Sequence, residues 1–524
     1  MIYDAIVVGG GASGLTAAAY LAKSGHSTLL LEKEPRCGGL INSFTKDGFT
    51  FDVGIRALEN AGVLLPMLKN LGIELDLVPN PVSLGIEDQV ITVKSAEDLS
   101  SYEALLKNLY PESKDEISAI ISDIQQITRY MDIQYGINNP LFLDIKEDRD
   151  YFIKNVLPWM FKYMLTVPKV VKKDQPVVPY LEKFTTNPSL IDLIAQHFFT
   201  NTPAYFALSY FRLYQDYFYP KGGTGTFIQA LISTIQDQGG EIQTNTQVTG
   251  INLDRHTLRT ATDQEYQFRT LLWTGDQKTL YQAIDVNHLS DQNTRDAVNE
   301  KRAFLADKVG NDSVMSLYAL TNLDKSYFEA ISKGHFFYTP SRAGQSKAGS
   351  LPIGGTWEEI RTWLEKYYAL TTYEISIPVL RDSKLAPAGK TGLIISTLFS
   401  YPFIKFIAES GWLDQFKGLV GDLIINNLDK SIYPGLAHSV FDRFISTPLT
   451  IQKRTGSTDG AITGWSFTNH PMPAENRLVK ISNAVMTPLP GVFQAGQWTY
   501  SPSGLPVSLI TGKVAADKIH KTLK

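Results

Sequence analysis

Apolar and polar positions follow a regular order at the start of the chain. Ile6–Val8 is a short apolar run that predicts a buried strand, and a second apolar run at Ser27–Leu31 predicts the next strand. Between them, Ser13–Ser24 is rich in Ala and Leu and stops at Gly25, which is typical of a helix with a glycine cap. The chain therefore begins with a predicted strand, helix and strand.

Strand and helix patterns continue along the rest of the chain, with no internal repeat or low-complexity tract. A short β-like stretch at Gln89–Val93 leads into a largely helical region, and strands mixed with amphipathic helices follow from about residue 279. The predicted helices are Ser100–Leu109, Lys114–Tyr135, Tyr151–Leu165, Ser189–Phe199, Phe227–Gln238, Gly355–Leu370 and Asp414–Lys430, and the predicted strands are Val314–Leu320, Phe336–Tyr338, Tyr373–Val379 and Gly392–Ser400.

The turn between the first strand and helix carries a dinucleotide-binding fingerprint. Gly9 permits the tight turn, Gly11 lets the backbone approach a pyrophosphate, and Gly14 lets the helix pack on the strand. The helix N-terminus offers free N–H groups and partial positive charge to phosphates. Glu32 ends the second strand, where it is placed to accept hydrogen bonds from ribose hydroxyls. An acid at this position disfavours NADP and leaves NAD and FAD open.

Composition narrows the functional classes. The 524 residues carry a net charge of −4 without a dense Lys/Arg block, which argues against nucleic acid as a partner. Charged residues are 19% and aromatic residues 11%, which indicates extensive apolar surface inside a cavity or outside. One cysteine and eight scattered histidines predict neither an internal disulfide nor a metal site. Without a run suited to a transmembrane helix, we expect a cytoplasmic protein, or one resting on a membrane face.

Further motifs decide between the two dinucleotides. The segment Glu32–Leu40 contains the doublet Gly38-Gly39, and Gly48–Gly54 is an alternating strand ending in Asp-x-Gly. These residues resemble the flavoprotein superfamily of amine oxidases, phytoene desaturases and Rab GDP-dissociation inhibitors. Near the other end, Leu489–Trp498 and Ser503–Ala516 resemble the C-terminal FAD motif of the phytoene desaturase branch, although Gln497 stands where many relatives have Asp. The resemblance implies FAD as the cofactor.

The resemblance also implies an α/β fold: a Rossmann-type FAD-binding domain assembled from three segments, 1–80, 205–278 and 450–524, with an inserted α+β substrate domain. That domain comprises a mainly helical insertion at 81–204 and a sheet-plus-helix insertion at 279–449. The residues implied to contact FAD are Gly9, Gly11, Ala12, Ser13, Gly14, Glu32, Lys33, Gly38, Gly39, Leu40, Gly54, Val248, Gly275, Gly496, Gln497, Pro506 and Val507.

Catalytic candidates are few, because the flavin itself exchanges hydride and the protein mainly positions the substrate. We predict Arg56 as a catalytic residue, since it follows the flavin-passing segment and is able to bind a substrate carboxylate or oppose a reduced flavin; an ion pair with Glu59 is the structural alternative. Tyr500 is the second candidate, by its place in the flavin-facing C-terminal turn. His335 is more plausible as a satisfied strand residue than as a proton relay, and Cys37 as a buried, inert thiol.

The resembled group of phytoene desaturases, carotenoid isomerases and retinol saturases implies an FAD-dependent oxidoreductase. It would desaturate, saturate or isomerise a carotenoid, retinoid, isoprenoid or unsaturated fatty acid by hydride exchange with flavin N5. The chain has no second nucleotide fingerprint, so oxygen or a quinone is the expected electron acceptor. Two alternatives remain open: an amine oxidase, and a non-catalytic isoprenoid-binding protein of the GDP-dissociation-inhibitor type.

Two aromatic segments are candidates for lipid contact. Tyr205–Tyr219 carries eight aromatic residues in fifteen and predicts either a core helix or the lining of a long apolar tunnel. Tyr151–Lys173 combines aromatic, Met and Lys residues in the manner of an interfacial helix, with a kink expected at Pro158. Tyr401–Trp412 is a second, weaker membrane-contact candidate.

Overall fold

The structure is a computed structural model that describes residues 1–95, 97–144 and 146–524, with only the backbone described at Leu478. In chain order the strands are β1 (Ile2–Val8), β2 (Thr28–Leu31), β3 (Ser43–Lys46), β4 (Phe49–Asp52), β5 (Leu58–Glu59), β6 (Leu77–Pro79), β7 (Val82–Ile86), β8 (Gln89–Val93), β9 (Tyr217–Pro220), β10 (Glu241–Gln243), β11 (Val248–Asn252), β12 (Thr257–Thr260), β13 (Glu265–Trp273), β14 (Ser313–Thr321), β15 (His335–Thr339), β16 (Tyr373–Ser376), β17 (Thr391–Phe399), β18 (Val440–Ser446) and β19 (Val492–Gln494).

The α-helices lie between these strands and at the C-terminus. They are α1 (Ala12–Lys23), α2 (Leu64–Leu71), α3 (Asp98–Leu109), α4 (Lys114–Tyr135), α5 (Arg149–Tyr151), α6 (Leu157–Val171), α7 (Val177–Leu181), α8 (Pro188–Ala195), α9 (Ala204–Ala207), α10 (Tyr210–Leu213), α11 (Gly225–Asp237), α12 (Gln277–Ala283), α13 (Gln292–Ala306), α14 (Lys325–Glu329), α15 (Trp357–Leu370), α16 (Tyr401–Glu409), α17 (Leu413–Lys430), α18 (Leu436–Ser439), α19 (Pro448–Thr455) and α20 (Leu505–Leu523).

The first sheet joins three distant parts of the chain. Its strand order is β10–β2–β1–β13–β12–β11, and β19 also pairs with β13. β10, β2, β1, β13 and β19 run parallel, with Val8 opposite Trp273 at the end of the central pair. α1 packs against α11 and α20 on one face of this sheet. Parallel strands covered on both faces read as continuous apolar runs, which is why the sequence displays β1 and β2 so clearly.

The second sheet has the order β18–β14–β17–β16–β15–β7–β8 and is antiparallel except where β15 pairs with β7. Side chains from α15, α16 and α17 fill the core on one of its faces. In α16, Phe403, Ile404 and Ile407 are fully buried in this core. The apolar side of Tyr401–Trp412 is therefore packed against protein.

A separate small sheet has the order β5–β9–β6, and α3, α4, α7 and α8 form a helical core of their own. Of the two interpretations of Tyr205–Tyr219, the single core helix is wrong. The segment breaks into α9, α10, a 3₁₀ turn at Tyr214–Asp216 and β9, because the backbone of Tyr217–Pro220 pairs with strands on both sides. Strand pairing with distant residues has outweighed the local pattern.

The helical prediction at Tyr151–Leu165 needs two corrections. A π-helical turn at Phe152–Val156 precedes α6, and α6 continues to Val171. Pro158 therefore lies in the first turn of α6, where its missing N–H removes no helical hydrogen bond, instead of kinking the middle of the helix. The proline inside the helix is Pro168.

Candidate functional site

The turn after β1 has the backbone geometry that a phosphate-binding loop needs. Gly9 has a φ of +108°, and a Cβ at Gly14 would lie 2.0 Å from the carbonyl oxygen of Gly9, so no side chain fits at either position. A Cβ at Gly11 would meet no atom within 4 Å. Gly11 is also the N-cap of α1, and no side chain caps that helix. The free helix end thus faces open space bordered by backbone.

Glu32 lies beside this turn with its carboxylate held by the backbone. Oε2 accepts a hydrogen bond from the N–H of Gly10 at 2.6 Å, and Oε1 accepts one from the N–H of Glu34 at 2.8 Å. Burial raises the pKa of Glu32, and the two N–H donors oppose that effect. Each oxygen has a second lone pair, so the carboxylate retains capacity for ribose hydroxyls.

The glycine doublet closes over the first turn. Gly38 forms a parallel bridge with Gly11 and donates its N–H to the carbonyl oxygen of Gly10 at 2.7 Å. A Cβ at Gly39 would lie 3.6 Å from the Cα of Gly11. Cys37 is buried here, and burial raises the pKa of its thiol to about 12. The thiol is therefore protonated at neutral pH, in keeping with an inert cysteine.

The C-terminal segment meets the first turn directly. Gly496 has a φ of +98°, and a Cβ there would lie 2.7 Å from Oγ of Ser13. A Cβ at Gly512 would lie 2.5 Å from the carbonyl oxygen of Ser13. The N–H of Gly496 donates to Oγ1 of Thr511 at 3.0 Å. Residues from opposite ends of the sequence therefore form one cradle, and α20 begins beside it with Pro506 in its first turn.

The middle segment supplies the remaining side of the cradle. Oγ1 of Thr274 donates to the carbonyl oxygens of Val8 and Gly9, which places Gly275 against the phosphate-binding turn. Val248 begins β11, at the edge of the same sheet. Lys33 contacts the C-terminal segment instead, donating from Nζ to the carbonyl oxygen of Lys453 at 3.2 Å.

An open, glycine-lined space beside an uncapped helix end, with an acid at the end of the second strand, fits FAD. The structure brings Gly9, Gly11, Gly14, Gly38, Gly39, Gly275 and Gly496 together from all three segments, and these glycines would line the space for the cofactor. Each individual contact to FAD that the sequence predicts stays a prediction.

The side chain of Asp52 joins β4 to β3, β9 and the start of α11. It is completely buried, and Oδ1 accepts hydrogen bonds from Oγ of Ser43, the N–H of Thr224 and Oγ1 of Thr224, each at 2.9 Å. Oδ2 accepts the hydroxyl of Tyr219 at 2.8 Å. The Asp-x-Gly motif therefore ties β4 to the chain entering α11.

Arg56 is buried between the Asp-x-Gly segment and the second sheet. Nη1 donates to the carbonyl oxygen of Asp52 at 2.9 Å, and Nη2 donates to Oγ of Ser396 at 3.0 Å and of Ser316 at 3.5 Å. Among the residues that the structure describes, Arg56 forms no ion pair with Glu59. The guanidinium thus positions two substructures against each other, and a direct part in chemistry stays a prediction.

The two aromatic residues of the C-terminal turn have different surroundings. Trp498 packs edge-on against Trp465, with ring centroids 4.8 Å apart, inside the core of the first sheet. Tyr500 is 3% exposed and lies near Tyr135, Tyr163 and Tyr205 of the helical insertion. Tyr500 therefore stands where the C-terminal turn meets that insertion, and its catalytic role stays a prediction.

A partly open aromatic cavity of about 50 Å³ lies between the helical insertion and the second sheet. Its wall includes Tyr210, Phe211 and Tyr214 from the segment in which the sequence shows dense aromatic residues. Phe337 of β15 stacks near Tyr214, with ring centroids 5.7 Å apart, and His197 lies 5.7 Å from Phe337. Burial lowers the pKa of His197 to about 4, so its ring is neutral and behaves as part of the apolar wall.

Two carboxyl groups occur near Tyr217, and the sequence analysis missed one of them. Glu374 of β16 accepts a hydrogen bond from Nε2 of His335 at 2.9 Å, and the His335 ring stacks parallel to Tyr217 at 5.9 Å. Glu59 of β5 lies opposite Tyr217 in the strand pairing. The one signal for Glu374 was an acid inside an otherwise apolar predicted strand.

Within residues 1–95, 97–144 and 146–524, the His, Cys, Asp and Glu side chains form no group of three suited to a metal ion. Over the same ranges, each helix is too short or too polar to cross a bilayer.

Known proteins are similar to this chain in sequence over most of its length. The model of the family described as "Flavin containing amine oxidoreductase" matches residues 12–304, more than half of the chain. A chloroplastic prolycopene isomerase of Daucus carota is 23% identical over 546 residues, covering 99% of this chain and 80% of the isomerase. The 4,4'-diapophytoene desaturase (4,4'-diaponeurosporene-forming) of Staphylococcus haemolyticus is 23% identical over 552 residues, covering 99% of both chains.

A solved structure supports the fold. A variant of putrescine oxidase superposes with a TM-score of 0.62 at 13% identity, covering 100% of this chain and 99% of the oxidase. At this identity the likeness concerns the fold alone, and it confirms the α/β architecture expected from the sequence.

Proposed function

The chain belongs to the family of flavin-containing amine oxidoreductases, and from that premise we propose that it desaturates, saturates or isomerises a long apolar substrate. The substrate classes are carotenoids, retinoids, other isoprenoids and unsaturated fatty acids. The protein is an FAD-dependent oxidoreductase, and FAD, when bound, supplies the two-electron chemistry. The chain's own residues bind the substrate, orient it and keep water away from it.

The observation that carries this proposal is the aromatic cavity beside the second sheet. Apolar cavities with few polar groups recognise elongated hydrocarbons by burying their surface. Aromatic rings continue beyond the cavity, since Tyr214 contacts Tyr217 at 5.8 Å and Tyr217 stacks on His335. The printed names of the two curated relatives, a prolycopene isomerase and a diapophytoene desaturase, support the same substrate class.

Anaerobic mixing of the holoenzyme with candidate lipids tests the proposal. We expect a carotenoid or other polyene either to bleach the flavin absorbance or to be converted to a geometric isomer seen by chromatography. Ala207→Phe is the matched variant, because Ala207 lines the cavity and is 1% exposed. It should weaken lipid binding while leaving FAD bound. Bleaching by a diamine but by none of the lipids would show the amine oxidase alternative, and a protein that cannot hold flavin would show the carrier alternative.

The electron acceptor is part of the same proposal. Since the chain shows one dinucleotide fingerprint, we expect electrons taken from a substrate to leave to oxygen or a quinone. Reoxidation of the bleached enzyme by each acceptor, followed by absorbance, distinguishes them.

We further propose that α6 and the turn before it dock on a membrane, from which an apolar substrate is able to enter. Phe161, Met164 and Leu165 are 76%, 69% and 72% exposed. Together with Ile153 and Leu157, they recur at spacings of three and four residues and so share one helix face. The exposed apolar side chains on this face are Ile153, Leu157, Met160, Phe161, Met164 and Leu165.

The opposite face of the helix is attached to the protein. Val156, Thr166 and Val170 are buried, and the indole N–H of Trp159 donates to the carbonyl oxygen of Ile133. Lysines flank the outward apolar face, which suits contact with anionic headgroups. These lysines are Lys154, Lys162, Lys169 and Lys172.

Co-sedimentation with lipid vesicles tests the docking proposal. The wild type should sediment with vesicles that contain anionic lipid, and the double variant Phe161→Ser, Leu165→Ser should stay in the supernatant. Ile353→Ser is the control, because Ile353 is an apolar residue that is 51% exposed and lies before α15, outside α6. Equal sedimentation of the double variant and the wild type would refute docking through α6.

A further inference from the structure

The aromatic cavity is lined by three tyrosines whose hydroxyl groups lack partners. They are Tyr102, Tyr210 and Tyr214, and the rings of Tyr210 and Tyr214 lie 5.7 Å apart. Tyr214 is 3% exposed, and its buried hydroxyl has no hydrogen-bond partner among the described residues. In the same part of the chain, no hydrogen bond reaches the hydroxyls of Tyr102 and Tyr210. Because a buried hydroxyl without a partner costs free energy, we expect the occupant of this cavity to supply a polar atom.

Two threonines in the same wall show the contrast. Oγ1 of Thr339 lies 2.7 Å from Oγ1 of Thr372, so these two hydroxyls hydrogen-bond to each other. Thr372 also accepts a hydrogen bond from Nε2 of Gln196 at 2.8 Å. The protein therefore satisfies the threonines itself and leaves the tyrosine hydroxyls available to a ligand.

The wall of the cavity favours an uncharged ligand group. The described residues that line it include neither lysine nor arginine, and His197 is neutral because burial lowers its pKa to about 4. Burial and, less strongly, the field of the Glu374 carboxylate raise the pKa of Tyr210 and of Tyr214, so both hydroxyls keep their protons. A ligand carboxylate would lose its water here, meet no cation in the wall and lie in the field of an anion. A hydroxyl or carbonyl oxygen has none of these disadvantages.

The size of the cavity limits which part of a long substrate it is able to hold. Its volume is about 50 Å³, whereas a single water molecule needs about 10–15 Å³. The cavity therefore has room for the end group of a chain and not for a whole polyene. Since the cavity is partly open, the remainder of the chain is able to extend beyond it.

We propose that this cavity binds one end of the substrate, and that this end carries an uncharged hydroxyl or carbonyl oxygen that hydrogen-bonds to Tyr214. The inference rests on the proposed function and deepens it, because it selects isoprenoid or retinoid alcohols and aldehydes over plain hydrocarbons and free fatty acids. A tyrosine hydroxyl donates to either kind of oxygen and also accepts from an alcohol. A site of this kind discriminates against an analogue without the oxygen, since its own polar groups then stay unpaired.

Equilibrium binding of four ligands to the FAD-loaded protein tests the inference. The ligands are geranylgeraniol, its aldehyde, its carboxylate and the hydrocarbon with the same carbon skeleton. The wild type should bind the carboxylate at least about tenfold more weakly than the alcohol. Tyr214→Phe removes only the hydroxyl, so it should weaken the alcohol and the aldehyde by about tenfold and leave the hydrocarbon unchanged or tighter. Tyr338→Phe is the matched control and should change none of the affinities, because the hydroxyl of Tyr338 is also buried and unpartnered among the described residues but Tyr338 packs in the core of the second sheet.

Infrared spectroscopy of the bound aldehyde provides a second readout that a purely structural role of Tyr214 would not move. A hydrogen bond from Tyr214 lowers the frequency of the carbonyl stretch, so the wild type should show a lower frequency than Tyr214→Phe at saturating aldehyde. An equal frequency in the two proteins, equal weakening of all four ligands by Tyr214→Phe, or a carboxylate that binds as tightly as the alcohol overturns the inference. In each of these cases lipid still binds and the proposed function stands. A wild type that binds none of the four ligands and no carotenoid overturns the proposed function and the inference with it.

Discussion

Gly512→Ala perturbs the FAD cradle from a residue on its outer side. The added Cβ would lie 2.5 Å from the carbonyl oxygen of Ser13, whereas ordinary contacts begin at 3.4 Å. α20 must therefore move away from α1 by about 1 Å, because the obstacle is backbone and cannot rotate aside. Overpacking of this kind costs about 1–3 kcal/mol, and replacing a helical glycine by alanine returns about 0.5–1 kcal/mol.

The displacement should also reach the cofactor. Ser13 touches both Gly512 and Gly496, so moving α20 widens the cradle in which Gly496 lies. If bound FAD restores the original spacing, the remaining strain of about 1–2 kcal/mol opposes binding, which corresponds to roughly a tenfold weaker Kd. The apo variant should melt at a lower temperature than apo wild type.

Fluorescence titration with FAD and thermal unfolding of the apo forms measure the two effects. Gly418→Ala is the matched control, because Gly418 lies inside α17 and a Cβ there meets no atom within 4 Å. That variant should be as stable as the wild type or slightly more so, with unchanged FAD affinity. If Gly512→Ala behaves like Gly418→Ala in both assays, the reasoning that close packing of α1 and α20 shapes the cradle is refuted.

Three further predictions follow from single side chains. Asp52→Asn removes the charge that accepts hydrogen bonds from Thr224 and Tyr219, so the apo protein should lose about 1–3 kcal/mol of stability in chemical denaturation; an unchanged midpoint would contradict this. The unfolded chain protonates His197 near pH 6.5 and the folded chain only near 4, so stability should fall as the pH drops through that window, by up to about 3 kcal/mol. His197→Phe should flatten the profile, and an equally steep one would exclude this cause. Cys37 should react with a thiol reagent only in denaturant, and rapid labelling of the native protein would show that its thiol is accessible.

Local pattern predicted the elements whose form depends on neighbouring residues. α4 spans Lys114–Tyr135 as expected, and β14, β15 and β17 differ from the predicted strands by one residue at each end. Their apolar periodicity and their turn residues are close together in sequence. The core-helix interpretation of Tyr205–Tyr219 was wrong because the last residues of this segment form a strand between β5 and β6, which come from far earlier in the chain.

Candidate chemistry divides in the same way. The glycines of the cradle could be predicted from the sequence because the local backbone conformation requires glycine there, as the positive φ of Gly9 and of Gly496 illustrates. The sequence identified Arg56 as a candidate site residue. Its hydrogen-bond partners Ser316 and Ser396 are more than 250 positions away, and the residues around Arg56 gave no indication of them.

The sequence by itself determined the dinucleotide fingerprint, the family resemblance and most helices and strands. These features depend on short-range steric effects and apolar periodicity, which involve residues close together in the sequence. Only the tertiary structure decided that Ser13 meets Gly512 and that the buried carboxylate of Asp52 accepts hydrogen bonds from Tyr219 and Thr224. The physical reason is that burial and electrostatic field are properties of the space around a group. That space is made by segments that are distant along the chain.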